Sequence, residues 1–416
     1  MAQKKLNFVF LFFLTLISFV YLFIRFYHLS TLLDFRLDQS FFLLESKSTI
    51  QPPHLRLLGP ATSKIFDGRQ FFVGSNYYYI LGIVGLISHW DPLITTIVFI
   101  ILEFLFYLFF VFFLKQKFNS LWSLLIFFCL SISPYLVAHS RFFWNPHLLI
   151  PLSILTIYFL DKFLNQKKFL YLFLSAFFWG FAFSCHYSPI FWLPIFIYFL
   201  IKSKNFLKLI SYIIIFFGIF IGDLLFFIFE LRHQFYNLKT FIYVYTHSTQ
   251  KGGLTSHYFV FPLLIFVIYF LLLSLSKIKN KTFANFLLLF NLIFLTVFQF
   301  KLYPNFPSFG VIKGWNYPDQ LKVANLISQN CPTNFNIAAT MQGDTRAYDL
   351  RYLLSLKNCQ PLGVEDYPIS QKLFLIAPNN RPPESETVWE VASFKPFKIN
   401  QKIILNDQLI FYELNK

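Results

Sequence analysis

Charge is scarce in this chain. Asp, Glu, Lys and Arg make up 13% of its 416 residues, where a soluble domain carries about 25%. Acids are the scarcer sign, 19 against 35 Lys and Arg. Only four cysteines occur, none spaced as CxxC, which excludes the short zinc and dithiol motifs. No glycine-rich phosphate loop and no dinucleotide fingerprint is present. No internal repeat stands out, which speaks against an inverted-repeat transporter. Apolar residues, in contrast, make up 56% of the chain, 62 of them Phe, and the mean hydropathy is +0.58. A water-soluble core cannot hide that much apolar surface, so lipid is the expected solvent.

The apolar runs have spanning length. A helix rises about 1.5 Å per residue, so roughly 20 apolar residues cross the hydrocarbon. The pattern predicts about nine spans, near 7–27, 93–114, 119–138, 147–164, 168–185, 187–202, 207–229, 257–276 and 283–300. The first follows Lys4 and Lys5 and lacks a small-residue cleavage site, so it reads as a signal anchor. Lys115/Lys117, Lys162/Lys167/Lys168, Lys202/Lys204 and Lys277/Lys279/Lys281 fall in alternate connections. Those connections, with the N-terminus, are expected on the cytoplasmic side. The remaining loops (28–92, 139–146, around 186 and 230–256) and the tail then face outward. The net charge of +16 therefore needs no nucleic acid to explain it.

The chain divides at about residue 300. A transmembrane domain is expected over 1–300, with 28–92 as its long first outer loop. Over 301–416 the apolar runs shorten to strand length in NFNIAATM (334–341), KLFLIAP (372–378), KIILN (402–406) and QLIFYEL (408–414). Helical periodicity appears in 319–330 and 345–356. This alternation predicts a small extracytoplasmic α/β domain. Cys331 and Cys359 both lie there; in an oxidising compartment they are either a disulfide or two small apolar residues.

Polar residues crowd the predicted outer face. Asp38 stands just beyond the first span, where a carboxylate serves as general base to an acceptor hydroxyl, or simply as a helix cap. LLGPATS (57–63) suggests a Gly-Pro turn, and Tyr77 and Tyr78 belong to an interfacial tyrosine run. That run is either a bilayer anchor or a platform for a sugar or headgroup. Arg141, His186, Arg232 and His233 sit in three outer loops. Each alone suits a lipid headgroup, and together they suit one bound anion. All nine histidines lie on or near this face, but no pair has an i,i+4 ligand spacing; no cofactor is expected, and a divalent metal is not favoured. Two acids fall within spans. Asp223 is placed to floor an outward-facing site, and Glu103 to pair in the packing or to carry protons.

The order of these motifs resembles the GT-C glycosyltransferases, specifically the bacterial membrane enzymes grouped with protein O-mannosyltransferases and the aminoarabinose transferase of lipid A. The residues carrying the resemblance are Asp38-Gln39, Gly59 to Ser63, Gly74 to Tyr79 and Asp91-Pro92 in the first loop. Ser140 to Pro146, His186-Tyr187, Phe229 to Phe235, 344–352 and 361–368 continue it through the tail. The resemblance implies an inverting transfer of sugar from an outward-facing polyprenyl phosphate, undecaprenyl phosphate in a bacterial cytoplasmic membrane. The acceptor is a hydroxyl of a protein, lipid or glycan. Asp38 takes the family's general-base position, with Arg141, Arg232 and His233 as phosphate candidates. The pattern departs in two respects: no second acid closely follows Asp38, with Glu45 the nearest, and the usual Gly-Pro before the tyrosines is Gly74-Ser75. Two alternatives remain, a flippase of a lipid-linked glycan and a non-catalytic scaffold on a transferase fold.

Overall fold

The structure, a computed structural model, describes residues 2–247, 256–302, 314–341 and 343–416. It opens with α1 (Ala2–Phe26), the single turn α2 (Leu29–Leu32) and α3 (Leu37–Ile50). The hairpin β1 (Leu58–Phe66) and β2 (Arg69–Gly74) follows, then α4 (Asn76–Ile87). The membrane body continues as α5 (Pro92–Lys117), α6 (Ser120–Ile132), α7 (Pro134–His139), α8 (Leu149–Gln166), α9 (Phe169–Cys185) and α10 (Leu193–Lys202). It ends with α11 (Leu209–Gly222), α12 (Leu224–Arg232), α13 (Tyr236–His247), α14 (His257–Ser276) and α15 (Lys281–Leu302). The tail holds α16 (Tyr317–Gln329), β3 (Phe335–Ala339), α17 (Tyr348–Ser355), β4 (Lys372–Pro378), α18 (Trp389–Ala392), β5 (Lys398–Ile404) and β6 (Leu409–Asn415).

Every predicted span is helical. Among the described residues five helices are long and apolar enough to cross a membrane, and a sixth candidate is the pair α11 and α12. The span expected over 207–229 is broken, because that pair bends by 87° at Asp223. Shorter apolar helices occupy α4, α6, α9 and Ser188–Lys202. Sequence-local signals set several ends. The Asp91 carboxylate accepts the Ile94 N–H at 2.8 Å and Pro92 opens α5. Pro134 separates α6 from α7 because it lacks an N–H for the ladder.

Two acids inside the bundle, Glu103 and Asp161, are engaged by neighbours. The Tyr21 hydroxyl donates to Glu103 at 3.1 Å, and the Arg25 guanidinium lies 3.6 Å from the Tyr21 ring centre. Arg25 also donates to the Ser131 carbonyl at 2.8 Å. Asp161, which the apolar pattern gave no reason to single out, takes Lys117 at 2.7 Å and the Tyr269 hydroxyl at 2.6 Å. Glycine lets α9 and α11 touch: a Cβ on Gly180 would collide with the Ile219 backbone, and one on Gly222 with that of Phe177.

The first outer loop is a folded layer rather than a turn-rich connection. Gly59-Pro60 lies in β1 instead of making the expected turn, and register shifts at Ala61 absorb the irregular pairing. The tail forms a four-stranded sheet of order β3-β4-β6-β5, with β3 and β4 parallel and the other pairs antiparallel. The small α/β domain read from the sequence is therefore present. Cys331 and Cys359 form a disulfide. It joins residues 28 apart, so Cys331→Ser should destabilise the tail by about 3–4 kcal/mol. Limited proteolysis of the tail with and without the substitution measures this.

The tail docks on the first loop. Phe35 packs edge-on against Tyr317 and Tyr352. The Gln320 amide donates to the Phe35 carbonyl at 2.9 Å, and the Tyr352 hydroxyl donates to the Trp90 carbonyl. These contacts bring the end of α1, the start of α3 and the tail sheet around one hollow.

Candidate functional site

That hollow is a cavity of about 770 Å³ with three walls. The first loop supplies Asp34, Arg36, Leu37, Asp38 and Gln39. α7, the connection after it and the start of α14 supply Tyr135, His139, Phe142, Trp144, Ser256 and His257. The tail supplies Trp315, Met341, Asp344, Arg346, Tyr348 and Asp349. Two walls thus carry acids and an arginine each, and the third is mostly aromatic.

Four carboxylates line the cavity, and three are engaged. Asp34 is buried and takes the Arg36 guanidinium through two bonds, at 2.5 and 2.9 Å. Asp344 accepts the backbone N–H of Arg346 at 3.1 Å and of Tyr348 at 2.7 Å, an Asx cap on α17. Asp349 accepts the Trp315 indole N–H at 2.9 Å. The exception is Asp38. It stands in the first turn of α3 with its side chain open to the cavity, and among the described residues no hydrogen bond reaches its carboxylate. The surrounding walls displace water and raise its pKa above the ordinary aspartate value; Arg36 opposes this and Asp34 adds to it. Burial raises Asp34 as well, against its bonds to Arg36.

Burial pushes Asp349 up to about 6, with the Trp315 bond pulling the other way. A raised carboxyl pKa means the folded state holds the proton more tightly than the unfolded one. Stability is then lost as pH rises from the unfolded aspartate range through about 6. Asp349→Asn keeps an acceptor for Trp315 and removes the buried charge. It should raise Tm at neutral pH, with the gain shrinking as pH falls through that window. A lower Tm at every pH would mean that the ionised group is needed.

The other residues predicted for the site are dispersed. Arg141 is buried and braces the loop from behind: its carbonyl accepts the Asp34 N–H at 3.2 Å, and its guanidinium donates to the Ile24 carbonyl at 2.9 Å. His186 sits one ring back from the cavity, 2.8 Å from the Ser188 hydroxyl and against the His257 ring. Arg232 and His233 are exposed at the end of α12, where His233 stacks on Phe229. The four do not converge, because the bend at Asp223 redirects α12 and Arg141 turns inward. Tyr77 and Tyr78 are buried against Phe42 on the back of α3 and form no platform in the cavity. Asp223 is also off the cavity; it is buried at the helix break beside Ser184 and under Gly74. Glu230, in the same motif as Arg232, is a structural acid that accepts the N–H groups of Asn237 and Leu238.

Sequence reasoning missed Asp34, Arg36, Trp315 and Asp349 as wall residues. Asp34 and Arg36 flank the motif acid and carried a local signal. Trp315 and Asp349 reach the wall only through tail docking, which no short pattern encodes. Among the described residues no group of three or more His, Cys, Asp or Glu is placed to hold a metal ion.

Residues 76–227 match the family model of dolichyl-phosphate-mannose-protein mannosyltransferase. No curated protein sequence matches the chain. Among solved structures, the fold is similar to that of ArnT from Cupriavidus metallidurans bound to undecaprenyl phosphate. The similarity covers 96% of this chain and 97% of that one, with a TM-score of 0.60 at 10% sequence identity. The chain is a multi-pass membrane protein with the GT-C-like fold that its motifs led us to expect.

Proposed function

We propose, from that shared fold and the cavity it encloses, that this chain transfers a sugar from a polyprenyl-phosphate carrier to an acceptor hydroxyl. Asp38 is the general base. The observation that carries the reading is that Asp38 alone among the cavity's acids has an unengaged carboxylate. A base must be ionised and within reach of the proton it removes, and groups tied into caps or ion pairs are poorly placed for that. The acceptor O–H gives its proton to Asp38 while its oxygen bonds to the anomeric carbon. The bond from that carbon to the phosphate oxygen breaks, and the electron pair leaves with the lipid phosphate. A single displacement inverts the anomeric centre. No metal or organic cofactor is assigned a step. His139, Phe142, Trp144 and His257 offer ring faces for the sugar.

The cavity is assigned to the extracytoplasmic side. The alternating lysine clusters support that orientation, and so does a disulfide in the tail that walls the site. The flippase alternative loses its two pathway acids: Glu103 is tied to Tyr21, and Asp223 lies at a helix break off the cavity.

The test is transfer of radiolabelled sugar from undecaprenyl-phosphate donors by the purified protein in liposomes. Label moving to an acceptor without net flipping of the donor supports the reading. Flipping without transfer, across a panel of sugars, would replace it with the transporter.

A further inference from the structure

We propose that Arg346, in the C-terminal domain, is a ligand of the carrier phosphate, so that this domain forms part of the donor site. The inference rests on the transferase reading above. A departing phosphate needs a cation to take up its charge. Two guanidinium groups line the cavity. That of Arg36 is occupied by the buried Asp34 carboxylate through two bonds. That of Arg346 is half exposed, and its nearest acids are Glu390 at 3.8 Å and Glu365 at 3.9 Å. Both lie beyond hydrogen-bonding distance, and among the described residues its guanidinium makes no hydrogen bond.

The backbone beneath it is fixed. The Arg346 N–H is held by Asp344, and its carbonyl accepts the Arg351 side chain at 2.7 Å. Ala347 follows in the left-handed region at φ 53°, a strained conformation for alanine that the surrounding bonds must maintain. The result is a loop held by these bonds that carries an always-charged fork into a cavity shared with Asp38. A phosphate offers short, bidentate, charge-assisted bonds that two distant carboxylates do not. Placing this cation on the tail and the base on α3 also separates leaving group from base, as an in-line displacement demands. Arg346 thus exchanges loose contacts with Glu390 and Glu365 for the donor.

The experiment measures binding of undecaprenyl phosphate to the full-length protein in detergent, for wild type, Arg346→Ala, Arg346→Lys and Glu390→Gln. Undecaprenol and inorganic phosphate serve as controls. The expected result is a loss of about tenfold or more for Arg346→Ala, from removal of a charge-assisted pair. Arg346→Lys should fall between, because it keeps the charge without the fork. Glu390→Gln should bind at least as tightly as wild type, and undecaprenol binding should not respond to Arg346. Wild-type affinity in Arg346→Ala would overturn the proposal while leaving the transferase reading standing. Equal loss in Arg346→Ala and Glu390→Gln would mark a structural role and overturn it too. A wild type that prefers inorganic phosphate to the lipid would assign Arg346 to a soluble anion instead. A wild type that binds undecaprenyl phosphate no better than undecaprenol would remove both the proposal and the reading beneath it.

Discussion

Asp38→Asn is expected to slow sugar transfer by about 10²–10⁴-fold, the usual contribution of a positioned general base. The substitution preserves shape and removes only the ability to take a proton. Asp38 makes no hydrogen bond to its surroundings among the described residues, and burial outweighs the attraction of Arg36 in setting its pKa, so Tm at neutral pH should be no lower than that of wild type. The wild-type rate should also carry an acid limb. A protonated carboxyl cannot act as base, so the rate falls as pH drops through the Asp38 pKa. Burial places that pKa above the ordinary aspartate value, and the limb should therefore begin at higher pH than for a solvated aspartate. It should be absent from the residual rate of Asp38→Asn. Equal initial rates for the two proteins would remove Asp38 as the base.

Gly180→Leu is expected to prevent recovery of monodisperse, folded protein. Overpacking a well-filled contact costs about 1–3 kcal/mol where neighbouring side chains can shift. Here the obstacle is the backbone of Ile219 rather than a side chain, so no rotamer relieves it, and the cost should exceed that range. Gly222 faces the Phe177 and Phe181 backbone in the reciprocal position, and Gly218 sits on Ala176. The effect should spread toward the hairpin. α11 leads into the bend at Asp223 and on to α13, whose Asn237 carboxamide oxygen accepts the Phe72 N–H of β2 at 2.8 Å. Size-exclusion chromatography in detergent measures the loss. Leu170→Ala, at an exposed position on the same helix, is the control. Normal recovery of Gly180→Leu would mean that the two helices tolerate separation.

These two residues mark what the sequence discloses and what it withholds. Hydropathy located the helices, because it depends on composition over a window. Strand-length runs in the tail were legible for the same reason, and β3, β4, β5 and β6 follow them. Asp38 was singled out as an acid beyond the first span, and it lines the cavity. Hydropathy does not report rotation about a helix axis or contact between distant segments. Arg141 and Asp38 were both read as outer-face residues, yet one turns toward Ile24 and the other into the cavity. Tyr77 and Tyr78 looked interfacial, but the first loop folds back and buries them under α3. The break at Asp223 was equally hidden, since the apolar run passes through it without a proline or a charge cluster.

The cavity walls come from opposite ends of the polypeptide, and this bears on when the protein becomes active during its synthesis. Asp38 leaves the ribosome early, while Trp315, Arg346 and Asp349 follow only after the membrane helices. Until the tail is joined at Cys331–Cys359 and docked on Phe35, Asp38 faces an open groove without its counter-wall. A nascent or truncated chain would therefore lack the finished cavity. Completion of the last domain, rather than insertion of the first helix, sets the moment at which the cavity gains its third wall.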